Sequence, residues 1–259
     1  MAARPGADRY AFLDHPGPIP FVHRATGSGH AENTLPAIES VVGLGYRYVE
    51  TDVRATSDGV AVLAHDADLL RVAGHTGKVA ELPFEALAAV PLGSTSVARL
   101  DEVLSSWPDL RLNIDLKDDA SVPAVVEVLR RTGALDRVCV TSFTDRRIEA
   151  FRRRVGPSVC TGMGARAATA LKVASTAPLR SRRPPRAGVA QLPQRMAGLR
   201  VIDARLLEHA HARGLAVHAW VVDTRPEIEA LLDAGIDGII TDAPSVLREV
   251  LLERALWAG

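Results

Sequence analysis

Short β-like runs alternate with helical patterns along most of the chain. The apolar runs IPFVHR (19–24), YRYVETDV (46–53), VAVLAHD (60–66), LRLNIDLK (110–117), VCVTSF (138–143), SVCTGM (158–163), GVAQLP (188–193), LAVHAWVVD (215–223) and GIITD (238–242) read as strands. Between them the pattern predicts helices over 34–44, 83–90, 99–106, 121–132, 145–154, 203–213 and 225–234. Helix starts are signalled by Asp203, by Thr224 before Arg225-Pro226-Glu227 and by Asn33-Thr34 before Leu35-Pro36, and Gly214 and Gly235 stand where a helix ends in a left-handed residue. Strand and helix in alternation predict a parallel sheet covered by helices.

Nine strands are one more than an eight-stranded barrel uses. The strands around Glu50 and Ala61 are separated by about seven residues centred on Ser57-Asp58-Gly59, too few for a parallel crossover of a dozen. Asp-Gly favours a tight hairpin, so VAVLAHD is expected to fold back antiparallel. Residues 164–187 leave the rhythm, with an alanine-rich stretch followed by the basic, proline-broken RSRRPPR (180–186), read as a solvated loop. At 259 residues, with no linker and no repeat, the chain suits one (β/α)8 barrel of about 250 residues carrying a small hairpin insertion after strand 2. The expected division is an N-terminal extension, 1–18, and a single barrel domain, 19–259.

Composition changes this picture little. Apolar residues make up 47% and charged residues 24%, enough for a sizeable core. The 31 basic and 31 acidic residues cancel, so no global field points to nucleic acid or an anionic membrane. No 18-residue apolar run and no apolar core of signal-peptide length appears, so neither stable membrane insertion nor export is expected, and a cytoplasmic protein is. Cys139 and Cys160 each sit in an apolar run and read as buried thiols. Oligomeric state is left open.

The chemistry gathers where strands end. Glu50 and Asp52 are two apart on one strand and so share a face, and in a barrel reactive groups collect at the C-terminal strand ends. Asp115 stands near the end of LRLNIDLK, with Asn113 and Lys117 on its side. Three carboxylates from two strand ends make a hard oxygen site suited to a divalent cation, Mg²⁺ or Ca²⁺. His23 ends the first strand and His65 the hairpin strand, a pair fitted to serve as general acid and general base for substitution at phosphorus. Arg24 and Lys117 would hold phosphoryl oxygens. Trp220 reads equally as core and as an apolar wall for a substrate's alcohol, whereas Thr241-Asp242 reads first as a helix cap. His30, His75, His209 and His211 read as surface or capping residues.

These residues, in order and spacing, resemble the glycerophosphodiester phosphodiesterases: His23-Arg24, Glu32-Asn33-Thr34, Glu50-Thr51-Asp52-Val53, Thr56-x-Asp58-Gly59, His65-Asp66, Asn113-Ile-Asp115-Leu-Lys117, Ser142-Phe143, Gln191-Leu-Pro193, His218-Ala-Trp220 and Gly238-Ile-Ile-Thr241-Asp242. The resemblance runs from about residue 19 to 251 and implies a TIM barrel that hydrolyses glycerophosphodiesters to glycerol phosphate and an alcohol with a divalent metal. It implies Glu50, Asp52 and Asp115 as metal ligands, His23 and His65 as the acid and base, and Arg24 and Lys117 as phosphate contacts. Glu32 and Asn33 would organise the substrate-binding mouth. Water or the substrate's own neighbouring hydroxyl would attack phosphorus; sequence does not choose. Three positions depart from the family pattern: Ala25 stands where glycine is usual, Ala31 where proline is common, and Asp115 where the longer glutamate is frequent. Two alternatives stand beside this reading: a related barrel phospholipase acting on sphingomyelin or lysophospholipid, and a weakly active or non-catalytic phosphodiester-binding barrel.

Overall fold

A computed structural model describes residues 5–27, 29–177 and 185–259. Eight parallel strands form the barrel: β1 (Ile19–His23), β2 (Tyr48–Ala55), β3 (Arg111–Leu116), β4 (Val138–Thr141), β5 (Cys160–Thr161), β6 (Val189–Pro193), β7 (Ala216–Trp220) and β8 (Gly238–Thr241). Each pairs in parallel with its sequence neighbours from β1 to β5 and from β6 to β8, and β8 pairs with β1. The remaining seam, β5 to β6, is closed by a parallel bridge between Gly162 and Val189 and by Gly188 N donating to Thr161 O at 2.9 Å. Strand Ala61–Leu63 lies antiparallel to β2, as the short Asp-Gly connection predicts.

Eight helices flank the strands: α1 (Leu35–Gly43), α2 (Leu100–Ser106), α3 (Ser121–Thr132), α4 (Asp145–Val155), α5 (Ala165–Ala174), α6 (Ala204–His211), α7 (Arg225–Asp233) and α8 (Pro244–Glu253). Of these, α5 is absent from the sequence reading, and α8 enters it only through the cap expected at Thr241-Asp242. The α5 segment is rich in alanine, the strongest helix former, and needs only one deeply buried side chain, Leu171, so its apolar stripe is faint. The cap assignments divide. Asp203 accepts from Leu206 N at 2.9 Å, but Thr224 donates to Glu227 Oε2 instead, and neither it nor Thr34 caps its helix through its side chain. Gly214 and Gly235 do take positive φ, 66° and 85°.

The hairpin after β2 opens a larger insertion than expected. Asp68–Leu69 pairs with His75–Lys78, a short helix covers Phe84–Ala88, and Val62, Leu69, Val79, Leu87 and Leu92 give the insertion its own small core. At the other end of the barrel Tyr10, Phe12 and Leu13 pack under Phe21, Tyr48, Cys139, Cys160 and Ile240 and close it with apolar surface. Both cysteines are buried free thiols. The RSRRPPR stretch falls largely outside the described residues; of it only Pro185 and Arg186 are described, and Arg186 pairs with Glu149. Among the described residues no helix is long and apolar enough to cross a membrane.

Candidate active site

The barrel's C-terminal end opens on a cavity of about 390 Å³ lined by His23, Arg24, Glu50, Asp52, His65, Asp115, Lys117 and Trp220. Strand pairing brings them there. His23 lies opposite Glu50 across β1 and β2, and Asp52 lies opposite Asp115 across β2 and β3, so one pleat aims all of them at the mouth. His65 returns on the hairpin, its carbonyl held by Arg54 Nε and Nη2 at 3.1 and 2.9 Å.

Each imidazole is backed by an aspartate. His23 Nδ1 lies 2.8 Å from Asp242 Oδ1, and His65 Nδ1 lies 2.7 Å from Asp66 Oδ1. A carboxylate only accepts, so each Nδ1 carries the proton and each Nε2 is left for the cavity. Asp242 is thus a partner of His23 rather than a helix cap; burial pushes its carboxyl up, and the bonds from His23 and Thr26 outweigh that and hold it below the usual range. Asp66 is likewise held low, the bonds from His65 and Arg71 outweighing burial.

Glu32 and Asn33 stand behind the cavity wall. Glu32 grips Arg71 with both oxygens, at 2.6 and 3.0 Å, and approaches Arg24 at 3.4 Å; Arg71 in turn holds Asp66 at 2.7 Å. Asn33, left-handed at φ 58°, donates Nδ2 to Asp52 Oδ2 at 3.2 Å and accepts from Thr51 at 2.8 Å. Arg24 and Ala25 also take positive φ, 51° and 54°, so the position where the family resemblance leads to an expectation of glycine turns the chain in the region that a Cβ disfavours.

The three expected metal ligands meet at this end of the barrel with a cation among them. Lys117 Nζ lies 2.7 Å from Asp52 Oδ1 and 2.6 Å from Asp115 Oδ2, and Arg24 Nε lies 2.9 Å from Asp52 Oδ2. Asp52 therefore has both oxygens engaged, and burial, which would raise its carboxyl, is outweighed by Lys117 and Arg24, which hold it low. Among the described residues no three His, Cys, Asp or Glu side chains are gathered as a metal-holding group. Two buried carboxylate oxygens nevertheless have no hydrogen-bond partner there, Asp115 Oδ1 and Glu50 Oε2, the latter 3.7 Å from His23 Nε2. Burial, with Asp52 and Asp115 nearby, pushes the Glu50 carboxyl well above the ordinary glutamate range against the pull of Lys117 and Arg24.

The opposite half of the cavity is apolar. Trp220 meets Phe143 edge to face at 5.8 Å between ring centres, and Met163, Leu192, Pro193 and Met196 complete the wall. Trp220 is thus wall as well as core. Lys172, tied to Asp203 at 2.6 Å, also reaches this cavity. Of these, Phe143 carried a sequence signal in Ser142-Phe143; Lys172 and Met196 lie on segments given no functional reading.

Comparison with known proteins bears on the family and the fold. Residues 23–246 match the model of the glycerophosphoryl diester phosphodiesterase family. The chain is 38% identical over 260 residues to the probable glycerophosphodiester phosphodiesterase 2 of Mycobacterium tuberculosis, covering 98% of both chains. A putative glycerophosphoryl diester phosphodiesterase from Silicibacter pomeroyi has the same fold, with a TM-score of 0.78 at 23% identity, over 96% of this chain and 98% of that one. So does a phosphodiesterase from Oleispira antarctica in complex with the product sn-glycerol-3-phosphate, at TM-score 0.74 and 21% identity, over 91% and 97%.

Proposed function

This chain belongs to the glycerophosphoryl diester phosphodiesterase family, the phosphoric diester hydrolases, and we propose that it cleaves glycerophosphodiesters to glycerol phosphate and an alcohol with His23 and His65 as its acid and base. The observation that carries the reading is the paired imidazoles, each with Nδ1 on an aspartate, at one cavity that also receives Arg24 and Lys117. Either water attacks phosphorus directly, or the glycerol hydroxyl beside the phosphate attacks first and water then opens the resulting cyclic phosphate to glycerol phosphate. One imidazole takes the attacking oxygen's proton at Nε2, the P–O bond to the alcohol breaks, and the other imidazole gives its Nε2 proton to the departing oxygen. Arg24 and Lys117 bind the phosphoryl oxygens and offset the charge that grows on them. Asp66 and Asp242 fix the rings, while Glu32 and Asn33 position Arg24 and Asp52 from behind.

A divalent cation, Mg²⁺ or Ca²⁺, would be held by Glu50, Asp52 and Asp115, where Lys117 otherwise bridges Asp52 and Asp115. The two unpartnered buried oxygens support this. When bound, the cation supplies Lewis-acid stabilisation of the phosphoryl oxygens. The apolar wall around Trp220 and Phe143 favours a second reading of the substrate, a lysophospholipid whose acyl chain, carried on the glycerol that keeps the phosphate, lies against that wall.

Incubation with a panel of glycerophosphodiesters and lysophospholipids plus Mg²⁺ or Ca²⁺ tests both readings. Glycerol phosphate is expected from the former and stops on chelation with EDTA; no release from any diester defeats the proposal. Faster cleavage of lysophospholipid than of soluble diesters selects the second reading.

A further inference from the structure

The rim of the mouth is apolar well beyond what one small phosphodiester covers. Phe143, Val173, Met196 and Leu199 are 61%, 65%, 62% and 74% exposed, four of the seven large apolar side chains exposed among the described residues. They sit on neighbouring segments: the turn after β4, the last turn of α5, and a hairpin after β6. The hairpin pairs Arg195–Met196 with Leu199–Arg200 around Ala197 and Gly198, both at positive φ, as a two-residue turn of type I′ requires.

That ribbon is two-faced. Met196 stands opposite Leu199, and Arg195 opposite Arg200, so alternation puts an apolar pair on one side and a guanidinium pair on the other. Like charges directly opposite each other disfavour a hairpin. Among the described residues no carboxylate relieves them, and the Arg195 guanidinium finds only Gly198 O, at 3.2 Å. An anion at this edge would remove the repulsion. Arg166, in the exposed first turn of α5, adds a third cation on the same rim. Beside it a shallow apolar groove of about 590 Å³ follows the outer face of α5 and shares Ala165, Thr169 and Val173 with the active-site cavity.

We propose that this rim docks the protein on an anionic phospholipid surface. Phe143, Met196 and Leu199 enter the boundary between headgroups and acyl chains, Arg166, Arg195 and Arg200 meet phosphates, and the groove along α5 joins that surface to the cavity. This is peripheral docking and needs no spanning helix. Docking itself needs no catalysis; delivery of an acyl-bearing diester by this route rests on the phosphodiesterase reading.

The test is sedimentation of the full chain with phosphatidylglycerol vesicles and with phosphatidylcholine vesicles, at about 0.1 M salt so that surface charge is not fully screened. Binding is expected on the anionic vesicles and not on the neutral ones. Leu199→Ser should weaken it by about tenfold or more, and Arg195→Gln and Arg200→Gln by roughly fivefold each, while turnover of a soluble diester stays at the wild-type level. These side chains are exposed and outside the catalytic cavity, and unchanged circular dichroism will show that the variants fold. Absence of binding to either vesicle, or equal binding by wild type and Leu199→Ser, overturns the proposal. So does a dimer that Leu199→Ser dissolves, which would give the face to a second copy of the chain. Vesicle binding in a protein that turns over no diester supports the docking and defeats the phosphodiesterase reading instead.

Discussion

The two halves of the cavity are built on opposite principles. On the β1–β3 side nearly every polar group has a charged neighbour: His23 on Asp242, His65 on Asp66, Lys117 between Asp52 and Asp115. On the side of Phe143, Trp220, Leu192 and Pro193 the wall has shape and little charge. The polar half holds atoms in place with directional bonds, as chemistry at one phosphorus demands, while the apolar half only has to accommodate an alcohol. Substitutions should therefore act sharply on one side and gradually on the other.

The largest expected effect lies in the polar half. His23→Ala and His65→Ala should each lower turnover by roughly 10²–10⁴-fold with the fold unchanged, because each removes one proton-transfer group; equal loss on substrates with good and poor leaving groups would contradict the assignment of an acid and a base. Next comes Glu50→Gln. It should cost about two orders of magnitude in turnover yet raise Tm in cation-free buffer, since a buried carboxylate crowded by Asp52 and Asp115 is replaced by a neutral isostere. A fall in Tm would mean that Glu50 is a structural partner.

Trp220→Ala probes the other half. It should reduce kcat/KM by roughly tenfold to a hundredfold for diesters with an apolar alcohol and far less for those with a small polar one, leaving the pH profile unmoved. A uniform loss across substrates would place Trp220 in the barrel's support instead. The smallest effect is expected at Ala25, whose φ of 54° disfavours a Cβ. Ala25→Gly should stabilise the chain by up to about 1 kcal/mol, less the packing its buried methyl loses, with a correspondingly small rise in Tm measured by calorimetry.

Much of this was legible because it is periodic or local. The eight strands, the antiparallel return through Ser57-Asp58-Gly59 and the common face of Glu50 and Asp52 follow from alternation and loop length alone. What was not legible depends on distance in the chain. Asp242 looks like a helix cap until β8 is paired with β1, which brings it within 2.8 Å of a histidine 219 positions away. Arg71 has no signature in sequence because its role is defined by Glu32, 39 positions earlier. The Arg195–Arg200 hairpin has no signature in sequence because two-residue strands carry no readable alternation. Lys117, read as a phosphate contact, lies between two expected ligands as their counter-ion, a placement that spacing cannot express.

The clamp between Arg71 and Glu32 bears on how the molecule can be modified. With its own core, the insertion after β2 looks like a cassette that relatives could exchange. Yet one of its residues reaches out to the loop after β1, and through Asp66 it also steadies His65. Modularity here is only apparent: a graft that brings a foreign insertion without an arginine at that place, or that changes Glu32 alone, detunes a histidine neither change touches. In engineering, the loop after β1 and the insertion are one part.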